Sequence, residues 1–227
     1  MFVPDLICGA VDMTVIFTRL SGGFLKTLII FFLTLILSLP LGLLVTFGRM
    51  SKIKILQYAV KFYISVMRGT PLMLQLLIVF FAPSYIFNAK IPLEYRFWAV
   101  IIGFALNYAA YFAEIYRSGI ENVPKGQYEA AMLLGFSKSQ TFIKIILPQV
   151  IKNVLPAITN EVITLVKDTS LAYVLAYTEM FKVAKEVSAA QSSIAPLMVA
   201  GLFYYVMNLL VAFVMGKAEK SMDYYTR

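Results

Sequence analysis

Three places along this chain set polar chemistry beside a break in helical pattern. Arg68 and Gly69 precede Thr70 and Pro71, and a Thr followed by Pro is the pattern of a helix N-cap with proline in the first turn. A guanidinium beside a helix N-terminus receives a carboxylate well; the other readings of Arg68 are a side chain reaching to lipid phosphates or pairing with a nearby acid. Asn107 and Tyr108 stand in the middle of an apolar run, where an amide needs a partner on another helix or on a ligand. Residues 153–166 are apolar but carry Glu161 and end on Lys167 and Asp168. Those two acids either meet an ammonium group or pair with Lys167 or Arg68. Taken together, the set suits a zwitterion. Glu114 and Arg117 lie one turn apart and are read as an intrahelical pair.

Other chemistry is excluded. Histidine is absent and Cys8 is the single cysteine, which removes histidine acid–base catalysis, Cys/His zinc centres and an internal disulfide. Gly135, Phe136, Ser137, Lys138 and Ser139 resemble a phosphate loop only superficially, and no full Gly-x4-Gly-Lys-Ser/Thr pattern exists. No cofactor is therefore expected in this chain.

The elements that must hold these residues are hydrophobic. Of the 227 residues, 60% are hydrophobic and 14% charged, against roughly 45–50% and about 25% in soluble domains. Uncharged stretches run over residues 27–48, 69–89, 97–113 and 187–216. A helix crosses the ~30 Å hydrocarbon layer in about 20 residues. Four spans are clear, and residues 153–166 make a fifth that is too polar to face lipid and must be buried or line a pathway. The expected fold is all-α, with spans at about 22–48, 56–88, 97–118, 150–167 and 194–216. From Leu72 to Phe87 is 16 residues, about 24 Å of helix, so the Thr70 helix start lies below the membrane surface. No repeat or linker divides residues 1–227, so a single domain is expected. Asp5 and Asp12 stand where a signal peptide would carry basic residues, so the first span is read as retained.

Basic residues set the orientation. Arg49, Lys52, Lys54, the loop from Ser118 to Lys152 and the tail from Lys217 put ten Lys or Arg on one side, against five on the other (Arg19, Lys90, Arg96, Lys182 and Lys185). The richer side is cytoplasmic, with the N-terminus outside and the C-terminus inside. The formal net charge of +8 then reflects loop charge and not nucleic-acid binding.

The loop over residues 120–148 reads as two short helices. Gly135 suits the residue after the first. Ser137 and Gln140 form a capping box for the second, and Pro148 stops it. Ala130 and Ala131 allow another surface to approach, and Glu129 offers a charge to a basic partner; the alternative is an amphipathic linker lying on headgroups. The spacing of Glu129, Ala130, Ala131, Gly135, Ile145, Leu147 and Pro148 resembles the signature of permease subunits of ABC importers. The run Arg68 to Pro71, the run Ala113 to Gly119 and the run Lys167 to Leu171 are similar to the polar amino-acid branch of that family, and the likeness covers about residues 20–216.

The resemblance implies a type I permease domain of five or more helices in the bacterial cytoplasmic membrane, paired with a second permease subunit around a central path. It implies that the loop docks on a dimer of ATP-binding cassette ATPases, which hold the ATP and magnesium, and that an extracytoplasmic solute-binding protein delivers a polar amino acid. Two other classes compete. An intramembrane enzyme would use Ser170 with Lys167 and Asp168. An ion-coupled secondary transporter would use Glu114, Glu161 and Asp168, but 227 residues without repeats are few for that class.

Overall fold

The computed structural model describes residues 13–222; Asp5, Cys8, Asp12 and Arg227 lie outside them. In order, the helices are α1 (Met13–Arg49), α2 (Lys54–Gly69), α3 (Leu72–Phe87), α4 (Tyr95–Glu121), α5 (Lys125–Leu133), α6 (Lys138–Thr141), α7 (Leu147–Asp168), α8 (Met180–Gln191) and α9 (Ala195–Ser221). A π-helical turn, Phe142–Ile146, leads into α7, and a 3₁₀ segment, Thr169–Leu175, follows it. Four helical stretches are long and apolar enough to cross a membrane, and the pair α2–α3 makes a fifth if it is one bent span.

The first helix is longer than its uncharged stretch. Its 37 residues extend about 55 Å at 1.5 Å per residue, so Lys26 sits where the apolar run begins rather than at the helix end.

The second span is broken. Helices α2 and α3 meet at 115°. Pro71 excludes its predecessor from the α region and has no N–H to donate. Pro71 itself, at φ −62° and ψ 131°, takes the N-cap position with no side-chain cap. This corrects the reading of Thr70 as the cap: the Thr70 hydroxyl and carbonyl instead accept from Gln75 Nε2 at 2.8 and 3.1 Å.

The chain folds as two compact units. One comprises the described part of Met1–Ile36 with Thr70–Ala105 and Thr164–Leu210. Its core joins Ile16 and Leu20 of α1 to Met180, Ala184 and Val187 of α8 and to Ala200 of α9. The ring of Phe24 meets that of Phe203 at 5.5 Å between centroids.

The other comprises Leu37–Gly69, Leu106–Ile163 and the described part of Val211–Arg227. Here Ile64 of α2 packs with Ala110 and Ala113 of α4, and Val123, Ile146, Val150 and Val154 form a second cluster at the start of α7. Small residues bring α1 and α4 together: a Cβ on Gly42 would stand 2.8 Å from Phe112 Cβ and 3.3 Å from the Ala109 carbonyl. The Thr46 hydroxyl sits against the carbonyls of Gly42 (2.8 Å) and Ala113 (3.1 Å). Without a hydrophobic force between helices in lipid, such close approach supplies the attraction. Gly42→Val should therefore destabilise by about 1–3 kcal/mol, read as a lower unfolding midpoint of the purified permease. An unchanged midpoint would contradict the tight packing.

Pro148 does not end a helix. Because Pro148 cannot donate to the carbonyl four residues back, the preceding turn widens: the Leu147 N–H donates to the Phe142 carbonyl, five residues back. From Leu147 the chain continues as α7, with Pro148 in its first turn.

Candidate functional site

Within the second unit a cavity of about 230 Å³ opens between the end of α2, the C-terminal half of α4 and α7. Arg68, Tyr111, Glu114, Ser118, Asn122, Asn153 and Glu161 supply its polar lining, and Ile115, Val154 and Ala157 its apolar part. Small volume and dense polarity set it apart from the pockets of roughly 300–1,000 Å³ that hold drug-sized molecules, and suit a smaller polar metabolite.

Each charged group is held by its helix. Arg68 ends α2 and its guanidinium carbon lies 5.3 Å from the centre of the Tyr111 ring, a cation–π contact that steers it toward α4. The Asn107 amide donates to the Met67 carbonyl at 3.0 Å, and the Tyr63 hydroxyl donates to the Leu106 carbonyl at 2.5 Å. The first bond satisfies one of the carbonyls that a helix end leaves over, so Asn107 fixes the backbone that carries Arg68. Arg117 pairs with both Glu114 and Glu121 on its own helix, the intrahelical arrangement the spacing predicts. Glu161 of α7 lines the same cavity as Arg68.

The cavity depends on a glycine. A Cβ on Gly119 would come within 2.1 Å of Val154 Cγ1, so a larger residue there would force the Val154 side chain, or the helix that carries it, to move.

Among the six residues singled out for a solute path, Arg68 and Glu161 line one cavity. Asn107 is 4% exposed and works through the Met67 carbonyl, and Tyr108 is 2% exposed in the core. Tyr111, one turn on, lines the cavity in place of Tyr108. Thr70 and Asp168 belong to the other unit. The residues after Asp168 turn back on their own backbone, with the Thr169 hydroxyl donating to the Val166 carbonyl and the Ser170 hydroxyl to the Lys167 carbonyl, each at 2.7 Å. Tyr111, Ser118, Asn122 and Asn153 were not foreseen. For the first three, the steps of three to four through Tyr111, Glu114, Ser118 and Asn122 were the available signal, but α4 is buried on most of its surface and hydropathy does not mark which face opens; Asn153 stands on α7.

The loop over 120–148 folds as its pattern predicts up to Pro148. Gly135, at φ 78°, follows α5; the Phe136 N–H donates to the Ala131 carbonyl and the Gly135 N–H to that of Met132, a Schellman closure. Both arms of the Ser137–Gln140 capping box are made. Ala131 is 1% exposed and packs within the chain instead of facing outward. The outward surface is Glu129 and Ala130 with an apolar knob: Met132, Leu133 and Leu134 are 59%, 90% and 75% exposed.

The chain matches the family model described as "Binding-protein-dependent transport system inner membrane component" over residues 38–224. It is 39% identical to "Arginine transport system permease protein ArtQ" of Bacillus subtilis (strain 168), covering 86% of this chain and 88% of that one. It is 37% identical to "Putative glutamine transport system permease protein GlnP" of Rickettsia typhi (88% and 91% covered), and 36% identical to "L-cystine transport system permease protein TcyB" of Bacillus subtilis (91% and 87% covered). A solved structure titled "Crystal structure of an amino acid ABC transporter with histidines" superposes with a TM-score of 0.84 at 32% identity, over 97% of this chain and 100% of that one.

Proposed function

The chain belongs to the binding-protein-dependent transport system inner membrane components, and on that footing we propose how this ABC amino-acid permease handles its solute and its energy. A polar amino acid binds in the Arg68–Glu161 cavity, carboxylate to the guanidinium and amine to the carboxylate, with Asn122, Asn153 and Ser118 left for a side chain. The observation that carries this is the presence of Arg68 together with the carboxylates of Glu114 and Glu161 in the lining of a single small polar cavity. Thr70 and Asp168, by their motifs, are proposed as further parts of the path. An extracytoplasmic binding protein hands over the solute, a second permease subunit completes the passage, and a pair of partner ATPases holds the ATP and magnesium. The ATPase seats on the loop, where Leu133 and Leu134 enter its surface and Glu129 meets a basic group.

The test is reconstitution of the permease with its ATPase and binding protein in nanodiscs, followed by a screen of arginine, glutamine, histidine and cystine for stimulated ATP hydrolysis. Stimulation by one or more of them is the expected result. No stimulation by any amino acid would sink the reading.

We also place the loop and the C-terminal end of α9 in the cytoplasm, supported by the ten-to-five distribution of Lys and Arg. In a Cys8→Ser background, a cysteine introduced at Lys138 should stay unlabelled by an impermeant maleimide in sealed cells and react after permeabilisation. Strong labelling in sealed cells would reverse the topology.

A further inference from the structure

Glu179 is a buried acid that the transport reading does not use. It is 0% exposed and caps α8: its carboxylate accepts from the Phe181 N–H at 2.6 Å and the Lys182 N–H at 2.7 Å. The Tyr204 hydroxyl of α9 donates to it at 3.1 Å. That hydroxyl lies close to the hydroxyls of Thr27 of α1 and Thr169 of the 3₁₀ segment. Next to it, the Met180 N–H donates to the Thr27 hydroxyl at 3.2 Å. A Cβ on Gly23 of α1 would stand 2.8 Å from Met180 Cα and 3.2 Å from the Glu179 carbonyl carbon. One carboxyl thus sits where α1, the 3₁₀ segment, α8 and α9 converge.

The convergence lies beside Thr27, where the uncharged stretch of α1 begins. The charged and titratable groups that meet Glu179 are Lys182 from its own helix and Tyr204 from α9; α1 presents Thr27 and the Gly23 backbone, and the 3₁₀ segment presents Thr169. Lys182 does not neutralise it. The Lys182 ammonium donates to the Ala176 carbonyl at 2.8 Å and lies 3.5 Å from Glu186. Among the described residues no ion pair includes Glu179. A carboxylate held out of water with no ion-pair partner in contact is costly, and the charged form is relieved by any movement that wets it.

We propose that Glu179 is a positioning residue for the transport cycle: when protonated it keeps the start of α8 seated on α1 and α9, and when ionised it favours unseating. The inference rests on the importer reading for its consequence, but the seating itself does not. Burial pushes the Glu179 carboxyl up to about 7 from an ordinary value of 4.5, more than its three hydrogen bonds and the nearby Lys182 ammonium bring it down. With the folded value above the unfolded one, the folded chain holds the proton more tightly. Stability from this group is full below about 4.5, declines as pH rises through the window to about 7 and is absent above it.

The test uses the assembled permease–ATPase complex in nanodiscs, with hydrogen exchange of residues 180–191 followed between about pH 8 and about pH 6, after correction for intrinsic exchange. Wild type should gain protection severalfold on acidification. Glu179→Gln, which carries no charge, should be protected at both values. Equal pH dependence in wild type and Glu179→Gln would overturn the proposal, as would failure of Glu179→Gln to insert, since the neutral side chain would then not support the seated state. Glu179→Asp, which keeps a titrating carboxyl, should restore the pH response.

A second readout is solute-stimulated ATP hydrolysis, which should fall on acidification in wild type and stay low and flat in Glu179→Gln; a wild-type profile in that variant would overturn the link to transport. If wild type shows no stimulation at any pH, the importer reading fails while the exchange result still judges Glu179.

Discussion

Replacing Leu133 and Leu134 together by Asp should release the partner ATPase from the permease and abolish coupled transport. The two side chains are 90% and 75% exposed at the tip of α5, outside the apolar spans, on a short helix closed by a Schellman turn and followed by a complete capping box. Large apolar residues that a rigid turn holds in water mark a contact surface. Burying each in a partner is worth about 1.5–3 kcal/mol, so loss of both would weaken docking by roughly 100-fold or more. The readout is recovery of the ATPase with tagged permease after detergent extraction. Equal recovery from the double variant would show that the ATPase seats elsewhere.

Ala131→Arg would be a poor probe of the same idea. Ala131 is buried inside the chain, so an arginine there disrupts the loop before it blocks a partner. Ala130→Arg, on the exposed face, separates the two effects and should lower recovery without altering insertion.

Arg68→Gln should weaken solute binding about 10- to 100-fold, equivalent to roughly 1.5–3 kcal/mol for one charge-assisted contact. Glutamine keeps a hydrogen-bonding group but loses the charge and the hold on Tyr111, which now lies 5.3 Å from the guanidinium carbon. Glu161→Gln, on the opposite wall, should produce a similar loss for solutes with a free amine and a smaller one for an analogue lacking it. Both are measured as the solute concentration that half-saturates stimulated ATP hydrolysis. Wild-type values in both variants would remove the cavity from the solute path. A loss confined to Arg68→Gln would reassign Glu161 to packing.

What could be read ahead of the structure was local. The Glu114–Arg117 pair, the glycine closing α5 and the Ser137–Gln140 box each involve residues three or four apart, whose geometry a helix dictates. The start of α3 at Leu72 followed from Pro71. That Thr70 would serve Gln75 and not cap the helix did not, because the cap position depends on how sharply the chain turns there. Pro148 misled for the same reason: a proline stops a helix that precedes it or opens one that follows, and only the π-turn at Phe142–Ile146 resolves which.

The sequence by itself determined that this chain is an all-helical multi-pass membrane protein, where its two-helix loop falls in the chain and which family its motifs match. Those properties rest on hydropathy and short-range spacing, neither of which needs a second helix. Only the tertiary structure decided which face of α4 opens, so that Tyr111 lines the cavity while Tyr108 is core, and that Arg68 and Glu161, 93 positions apart in the chain, line one space. It alone revealed Glu179. The Tyr204, Thr27 and Gly23 that enclose that carboxyl come from helices far apart in sequence, and burial is a property of packing between elements, to which a one-dimensional pattern of residues is blind.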